Sequence, residues 1–305
     1  MFKFTQKIFL LGALLLALSS FSASAHNKIK VVASFSILAD LVKNVGGDHI
    51  SITTFVGPNA NTHTYEPTPH DAQALRNAEI IFINGLHLEG FIDRLITASA
   101  TKALLVKVSA NIHPLEMENQ EHSAHHHHST IDPHAWQTIP NVEIYVKNIA
   151  AAFCKIDSQS CTLYKKNAEI YIQKLKRAQD TLKTKIATLP KDKRIIITSH
   201  DAFGYFAKEY GFTILAPQSA STEAEATAAD VAKLITQIKE NKAAALFIEN
   251  ISNPRLIKQI SKETGLKIGG TLYSDALSNE NGPAATYLDM MEHNVNTIIN
   301  AIKKH

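Results

Sequence analysis

From residue 29 onward, short apolar runs alternate with stretches in which apolar residues return every third or fourth position. Residues 29–35 and 50–56 are rich in β-branched side chains and read as strands, the second closed by Gly57-Pro58. Between them, residues 37–45 carry a helical pattern that stops at Gly46-Gly47. Residues 71–77 are predicted helical. Thr68 is placed to cap them and Pro69 sits in the first turn, where its missing N–H costs nothing. Residues 80–84 and 103–108 are further strand candidates with a helix between them. The second half resumes the alternation, with strands over 194–198, 213–216, 244–248 and 268–273. Its helices are predicted over 203–210, 228–241 (Thr227 as cap), 254–264 (closed by Gly265) and 284–302. This alternation predicts an α/β fold of two lobes, each a parallel sheet with flanking helices. The halves repeat one architecture without a clear repeat of residues.

Two stretches break the alternation. Residues 163–189 lack Gly and Pro, and Leu163, Ile170, Leu175, Ala178, Leu182 and Ile186 recur at helical spacing among charges. They predict one helix of about 27 residues, roughly 40 Å long, that joins the lobes as a stiff spine. Residues 113–131 have no periodicity. They carry His122, His125, His126, His127 and His128 with Glu116, Glu118 and Glu121, and read as a mobile loop. The predicted organisation is a signal peptide over 1–25, an N-terminal lobe over 26–160 that includes the loop, a linking helix over 161–190, and a C-terminal lobe over 191–305.

Composition adds limits. The chain has 305 residues, 45% of them hydrophobic, enough apolar side chains for two cores of ordinary domain size. Lys3 and Lys7, the apolar run 8–18 and Ala23-Ser24-Ala25 form a secretory signal that would leave His26 first. The run is well short of the roughly 20 residues that span a bilayer, which argues against an anchor. No cysteine lies near the cleavage point, so lipid attachment there is unavailable and a free periplasmic protein is expected. The net charge of +3 falls to +1 once the two leader lysines are gone, which excludes an electrostatic nucleic-acid binder. Cys154 and Cys161, in an exported protein, suggest a disulfide closing a small loop; two separate buried thiols are the alternative. With no CxxC, neither reads as a metal ligand.

Fifteen histidines are present, and three stand apart by position. His63, His134 and His200 lie just beyond strand ends or in short loops, beside Pro, Asp or Ser. Asp275 follows the last strand in the same way. Parallel sheets bind ligands outside the carboxyl ends of their strands, and two of these four residues come from each half. They would converge in a cleft between the lobes. No HExxH, G-x-S-x-G, P-loop or G-x-G-x-x-G occurs, which counts against a zinc metalloenzyme.

Five segments then carry a resemblance: His63-Thr-Tyr-Glu-Pro-Thr-Pro69, Asp132-Pro-His-Ala-Trp136, Ser199-His-Asp-Ala-Phe-Gly-Tyr-Phe206, Ser221-Thr-Glu-Ala-Glu225 and Leu272-Tyr-Ser-Asp-Ala-Leu277. In this order, from about residue 28 to the end, the chain resembles the zinc and manganese solute-binding proteins of ABC importers. The resemblance implies two lobes on a rigid helix, with metal ligands His63, His134, His200 and Asp275. Manganese-type members usually have a carboxylate where this chain has His200. Three imidazoles and one carboxylate suit four-coordinate Zn²⁺, whereas Mn²⁺ favours more oxygen donors. Zinc is therefore the expected ion and manganese the alternative. Glu66, Asp132 and Asp201 are placed to orient imidazole N–H groups, and Glu249 is either a further such residue or an alternative ligand. Trp136 and Tyr65 are expected at the lobe interface. The histidine-rich loop lies between the first two ligand motifs, as in zinc-importing members, and implies weak, exchangeable zinc sites; a solvated polar tract is the alternative. The expected function is a periplasmic high-affinity zinc receptor, a monomer that delivers to a membrane permease and binds no nucleic acid. Four protein ligands close the site, where catalytic zinc keeps one position open, so an enzyme is not expected.

Overall fold

The structure is a computed structural model and describes residues 27–117 and 130–304. The signal peptide and the five loop histidines, His122 and His125 to His128, lie outside the described residues. The N-terminal lobe runs β1 (Ile29–Phe35), α1 (Ser36–Gly46), β2 (Ile50–Val56), α2 (Pro69–Asn77), β3 (Ile80–Ile83), α3 (Ile92–Ser99) and β4 (Leu104–Lys107). Its strands pair in parallel in the order β2-β1-β3-β4. β1 and β3 are central and buried on both faces, which is why they read as continuous apolar runs. The two ends of the 113–131 stretch have structure. β5 (Glu116–Met117) and β6 (Thr130–Ile131) pair antiparallel, so the stretch read as a loop has a short ribbon at its base.

α4 (Ile139–Ile156) is absent from the predicted elements. Ile139, Val142, Val146, Ile149 and Phe153 are buried at helical spacing, and Pro140 after Thr138 is its start signal. α5 (Cys161–Ala187) is the long helix, 27 residues as expected. Its buried face differs from the expected one: Ile170 is exposed, and Tyr164, Ala168, Tyr171, Leu175, Gln179, Leu182 and Ile186 face inward. Two polar tips on that face, those of Tyr164 and Gln179, are satisfied. Tyr164 Oη donates to Asp157 Oδ2 at 2.9 Å and Tyr210 Oη to Gln179 Oε1 at 2.6 Å. Cys154 and Cys161 form a disulfide, which ties the end of α4 to the start of α5.

The C-terminal lobe runs β7 (Ile195–Ile197), α6 (Gly204–Tyr210), β8 (Thr213–Leu215), α7 (Ala228–Asn241), β9 (Ala245–Glu249), α8 (Arg255–Thr264), β10 (Ile268–Leu272) and α9 (Tyr287–Lys303). Its strands also pair in parallel, in the order β10-β9-β7-β8. Counted within each lobe, both sheets are therefore second-first-third-fourth. Each reverses direction between its first and third strands, and the carboxyl ends there form the crevice in which such sheets hold ligands. The hydrophobic interior is not two matching cores. One cluster runs from β1, α1 and α4 through Leu175, Leu182 and Ile186 of α5 to Phe206, Phe247, Tyr287, Met290 and Ile298 of the second lobe. A smaller one, including Ile197, Leu234, Ile238, Leu246, Ile257 and Ile260, belongs to the C-terminal sheet with α7 and α8. Among the described residues, no helix is long and apolar enough to cross a membrane.

Candidate metal centre

The four residues singled out by position meet between the lobes. His63 sits in the loop between β2 and α2, His134 follows β6, His200 follows β7 and Asp275 follows β10. One donor atom from each lies within 4.8 Å of every other. His134, His200 and Asp275 are fully buried and His63 is 8% exposed. His63 Nε2 and His200 Nε2 are each 3.2 Å from Asp275 Oδ2, and His134 Nε2 is 3.6 Å from Oδ1. His63 Nε2 and His134 Nε2 are 3.3 Å apart. Donors about 2.0–2.2 Å from a tetrahedral ion stand roughly 3.3–3.6 Å from one another, so these separations already suit one small cation.

The polar chemistry agrees with that spacing. Asp132 Oδ1 accepts the His134 backbone N–H at 2.9 Å and lies 2.8 Å from His134 Nδ1. Glu249 Oε2 lies 2.6 Å from His200 Nδ1, while its Oε1 accepts the Ser199 and His200 amides at 2.7 and 2.9 Å. Asp132 is placed to accept the His134 Nδ1–H, and the Glu249 carboxylate stands against His200 Nδ1 as an ion-pair partner; both contacts favour rings that turn Nε2 toward Asp275. Neither Asp275 oxygen accepts a well-aligned hydrogen bond, a costly state for a buried carboxylate that a cation would relieve. Burial opposes charge on His200, but Glu249 and then Asp275 outweigh it and hold its pKa well above the usual imidazole range. Burial likewise opposes the Asp275 charge, and His200 with His134 outweighs it and holds the carboxyl well below the usual range.

The remaining expected residues divide. Asp132 and Glu249 orient ligand-side imidazoles, and Glu249 stands behind His200, away from the other donors, so its place is that of an orienting group. Glu66 is exposed, and no hydrogen bond links it to a site histidine among the described residues. Asp201 turns aside. Its backbone N–H donates to the Gln218 and Ser219 carbonyls, and burial, then the charge of Asp132, raises its carboxyl pKa. Trp136 does pack between the lobes, its Nε1 donating to Ser274 O at 2.9 Å. Tyr65 donates to Asp71 and stacks edgewise on Phe91, both in the N-terminal lobe, and packs against the apolar cluster that the two lobes share.

Two contributors escape the sequence reading. Glu89 is buried in the N-terminal crevice, where its carboxylate accepts Ser34 Oγ and the Asn84 and Gly85 amides. It matches Glu249 of the other crevice in accepting two successive strand-end amides. Gly204 opens α6, where a Cβ would stand 2.6 Å from Asp132 Oδ2, so only glycine leaves Asp132 its position beside His134.

Residues 31–301 match the profile of the family described as "Zinc-uptake complex component A periplasmic". The chain belongs to this family. It is a metal-binding, substrate-binding protein of an ABC transporter, acting outside the cytoplasm with an ABC permease. The manganese-binding lipoprotein MntA of Halalkalibacterium halodurans is 33% identical over 276 residues, covering 90% of this chain and 89% of the relative. The iron-binding protein YfeA of Yersinia pestis is 34% identical over 271 residues, covering 89% and 85%. Among solved structures, the periplasmic zinc binding protein TroA from Treponema pallidum superposes with a TM-score of 0.84 at 31% identity, covering 90% of this chain and 99% of that one. The family thus has the two-lobed architecture found here, and the names of its members span three metals.

Proposed function

We propose that this chain is a periplasmic zinc receptor that holds one Zn²⁺ between its lobes on His63, His134, His200 and Asp275 and delivers it to an ABC permease. The observation that carries this reading is the buried set of three imidazoles and one carboxylate whose donor atoms all lie within 4.8 Å of one another, three of the pairs at 3.2–3.3 Å. Two rings are locked by Asp132 and Glu249 in the tautomer that presents Nε2, so little ordering is left for binding. Four protein donors fill a tetrahedral zinc, which suits carriage rather than catalysis. In this reading the receptor is the free periplasmic form left by cleavage after Ala25, where MntA is named as a lipoprotein. The receptor works as a monomer, and the histidine-rich segment adds weak zinc sites beside the tight one.

Manganese is the second reading, and one observation favours it. Both Asp275 oxygens face the imidazoles and neither accepts a hydrogen bond, so the carboxylate is able to give two oxygens to a larger ion with more ligands. Titration of metal-free protein with Zn²⁺ and with Mn²⁺ against competing chelators separates the two. Zinc is expected to bind one to one and more tightly, and Asp275→Ala is expected to abolish that site. Tighter binding of manganese would replace the zinc reading, and no stoichiometric binding of either would end both.

A further inference from the structure

We infer that Asn61 governs release of the bound ion, because its one amide both fixes the backbone of His63 and fastens that loop to the opposite lobe. The inference rests on the receptor reading and adds to it the edge by which the cargo leaves.

The ties between the lobes around the site are of two kinds. Beneath it, Trp136 Nε1 and Gln137 Nε2 both donate to Ser274 O, at 2.9 and 2.7 Å, with both side chains fully buried. Water does not compete for bonds of this kind. The edge at His63 is wetter. His63 is the one member of the set with any exposure. Its loop reaches the C-terminal lobe through Asn59 N–H to Leu277 O at 2.9 Å, Asn250 Nδ2 to Asn59 Oδ1 at 3.1 Å, and Asn61 Nδ2 to Thr222 Oγ1 at 2.8 Å. The last of these is part-buried and lies two residues from the imidazole. Within the loop, Asn61 Oδ1 accepts the His63 backbone N–H at 2.9 Å.

Asn61 therefore turns its carbonyl toward His63 and its NH₂ toward Thr222. A carboxylate would lose the donor and a hydroxyl is too short to serve both, so the residue type fits the double task. A hydrogen bond open to water parts at a lower free energy than a buried one. When the Asn61–Thr222 bond parts, residues 61–63 lose their own tie to the opposite lobe while Asn59 keeps its bonds to Leu277 and Asn250, and His63 swings away about that anchor while His134, His200 and Asp275 stay. The ion then keeps three protein donors and takes a water in the fourth position, the state from which an incoming donor displaces it. Removal of any other ligand requires the buried contacts to part first.

Stopped-flow transfer of zinc from the loaded full-length receptor to excess chromophoric chelator tests this. Thr222→Val removes the latch and leaves the Asn61–His63 bond. It is expected to speed release about fivefold, the ratio that corresponds to one neutral hydrogen bond. Asn61→Ala removes both bonds and is expected to speed release at least tenfold. For Thr222→Val, the visible spectrum of the cobalt-loaded protein and the melting point of the metal-free protein are expected to stay as in wild type, because the ligands and the core are untouched. Unchanged release in Thr222→Val overturns the inference, as does faster release accompanied by an altered cobalt spectrum; should Asn61→Ala fail to fold, Thr222→Val decides alone. Wild-type protein that holds no zinc overturns the receptor reading together with the inference, whereas zinc-loaded wild type with variants that release equally slowly overturns the inference only.

Discussion

Glu249→Gln isolates the contribution of an orienting group that never touches the ion. Glu249 Oε1 accepts two backbone amides while Oε2 faces His200 Nδ1. Glutamine keeps its oxygen on the amides, so its NH₂ is forced against Nδ1. That arrangement favours the tautomer with the proton on Nε2, the nitrogen that must meet the metal. Binding then requires either a buried donor facing a donor or loss of the amide contacts. A buried unsatisfied polar group costs about 1–3 kcal/mol, and loss of an outer partner of this kind weakens metal sites about 10–100-fold. A zinc affinity 10–100-fold weaker is expected, with the fold intact. The pH behaviour follows from the same contact. Against the opposing effect of burial, Glu249 is the largest influence that raises the His200 pKa, so wild type surrenders a proton from His200 when metal binds near neutral pH. A raised imidazole pKa stabilises the metal-free fold fully below the unfolded value of about 6.5, and that stability is lost as pH climbs through the raised value. The variant should accordingly lose more stability at pH 5 than at pH 9, and should release fewer protons on binding zinc. Chelator competition, calorimetry in buffers of different ionisation enthalpy, and urea unfolding at the two pH values measure these three quantities. Zinc affinity within twofold of wild type, with equal proton release, would refute the tautomer argument.

Other perturbations reach the same centre from different sides. His200→Glu replaces an imidazole by a carboxylate and is expected to shift metal content toward manganese, read by mass spectrometry of protein purified without added metal; an unchanged zinc content would count against the donor-set argument. Replacing residues 118–129 by a short turn between β5 and β6 should leave one tight zinc and remove the weaker ones in titration calorimetry; loss of the tight site would move it into the loop. Gly204→Ala sets a methyl 2.6 Å from Asp132 Oδ2 and should weaken zinc binding about tenfold through the displaced Asp132, as measured by chelator competition. Affinity equal to wild type would show that Asp132 does not hold His134 in place.

The elements were legible where one property decided them. The β1 and β3 runs match observed strands because parallel central strands are buried on both faces and so select nearly continuous apolar residues. α5 was legible from its lack of Gly and Pro, but its inward face was not, because tyrosines and a glutamine occupy positions that a count of aliphatic residues passes over. The Ile139–Ile156 helix carried a readable signal in Thr138-Ile139-Pro140 and its periodic apolar residues. At the site, His63, His134, His200 and Asp275 stood out because strand ends place them, yet their meeting depends on how two lobes are set against one helix, which no local pattern encodes. Glu249 at a strand end was visible as a candidate. Glu89 was not, since a glutamate in Leu88-Glu-Gly90 looks like any surface loop residue until the crevice closes on it. Asn61 had the same disguise.

The continuous core through α5 bears on how the receptor lives and dies in its compartment. Tyr287, Met290 and Ile298 from the end of the chain share one apolar interior with Val42 and Leu175. A fragment that stops at the linking helix would bare such residues, each worth about 1.5–3 kcal/mol of burial, so neither half is a foldable unit by itself. Unfolding is then expected as a single transition in which both halves melt together. A cargo ion bound at the seam between them raises the stability of the entire chain by mass action. Starvation for the metal thus leaves a population of uniformly softer molecules, exposed to proteases along their whole length, and a replete cell keeps its receptors intact.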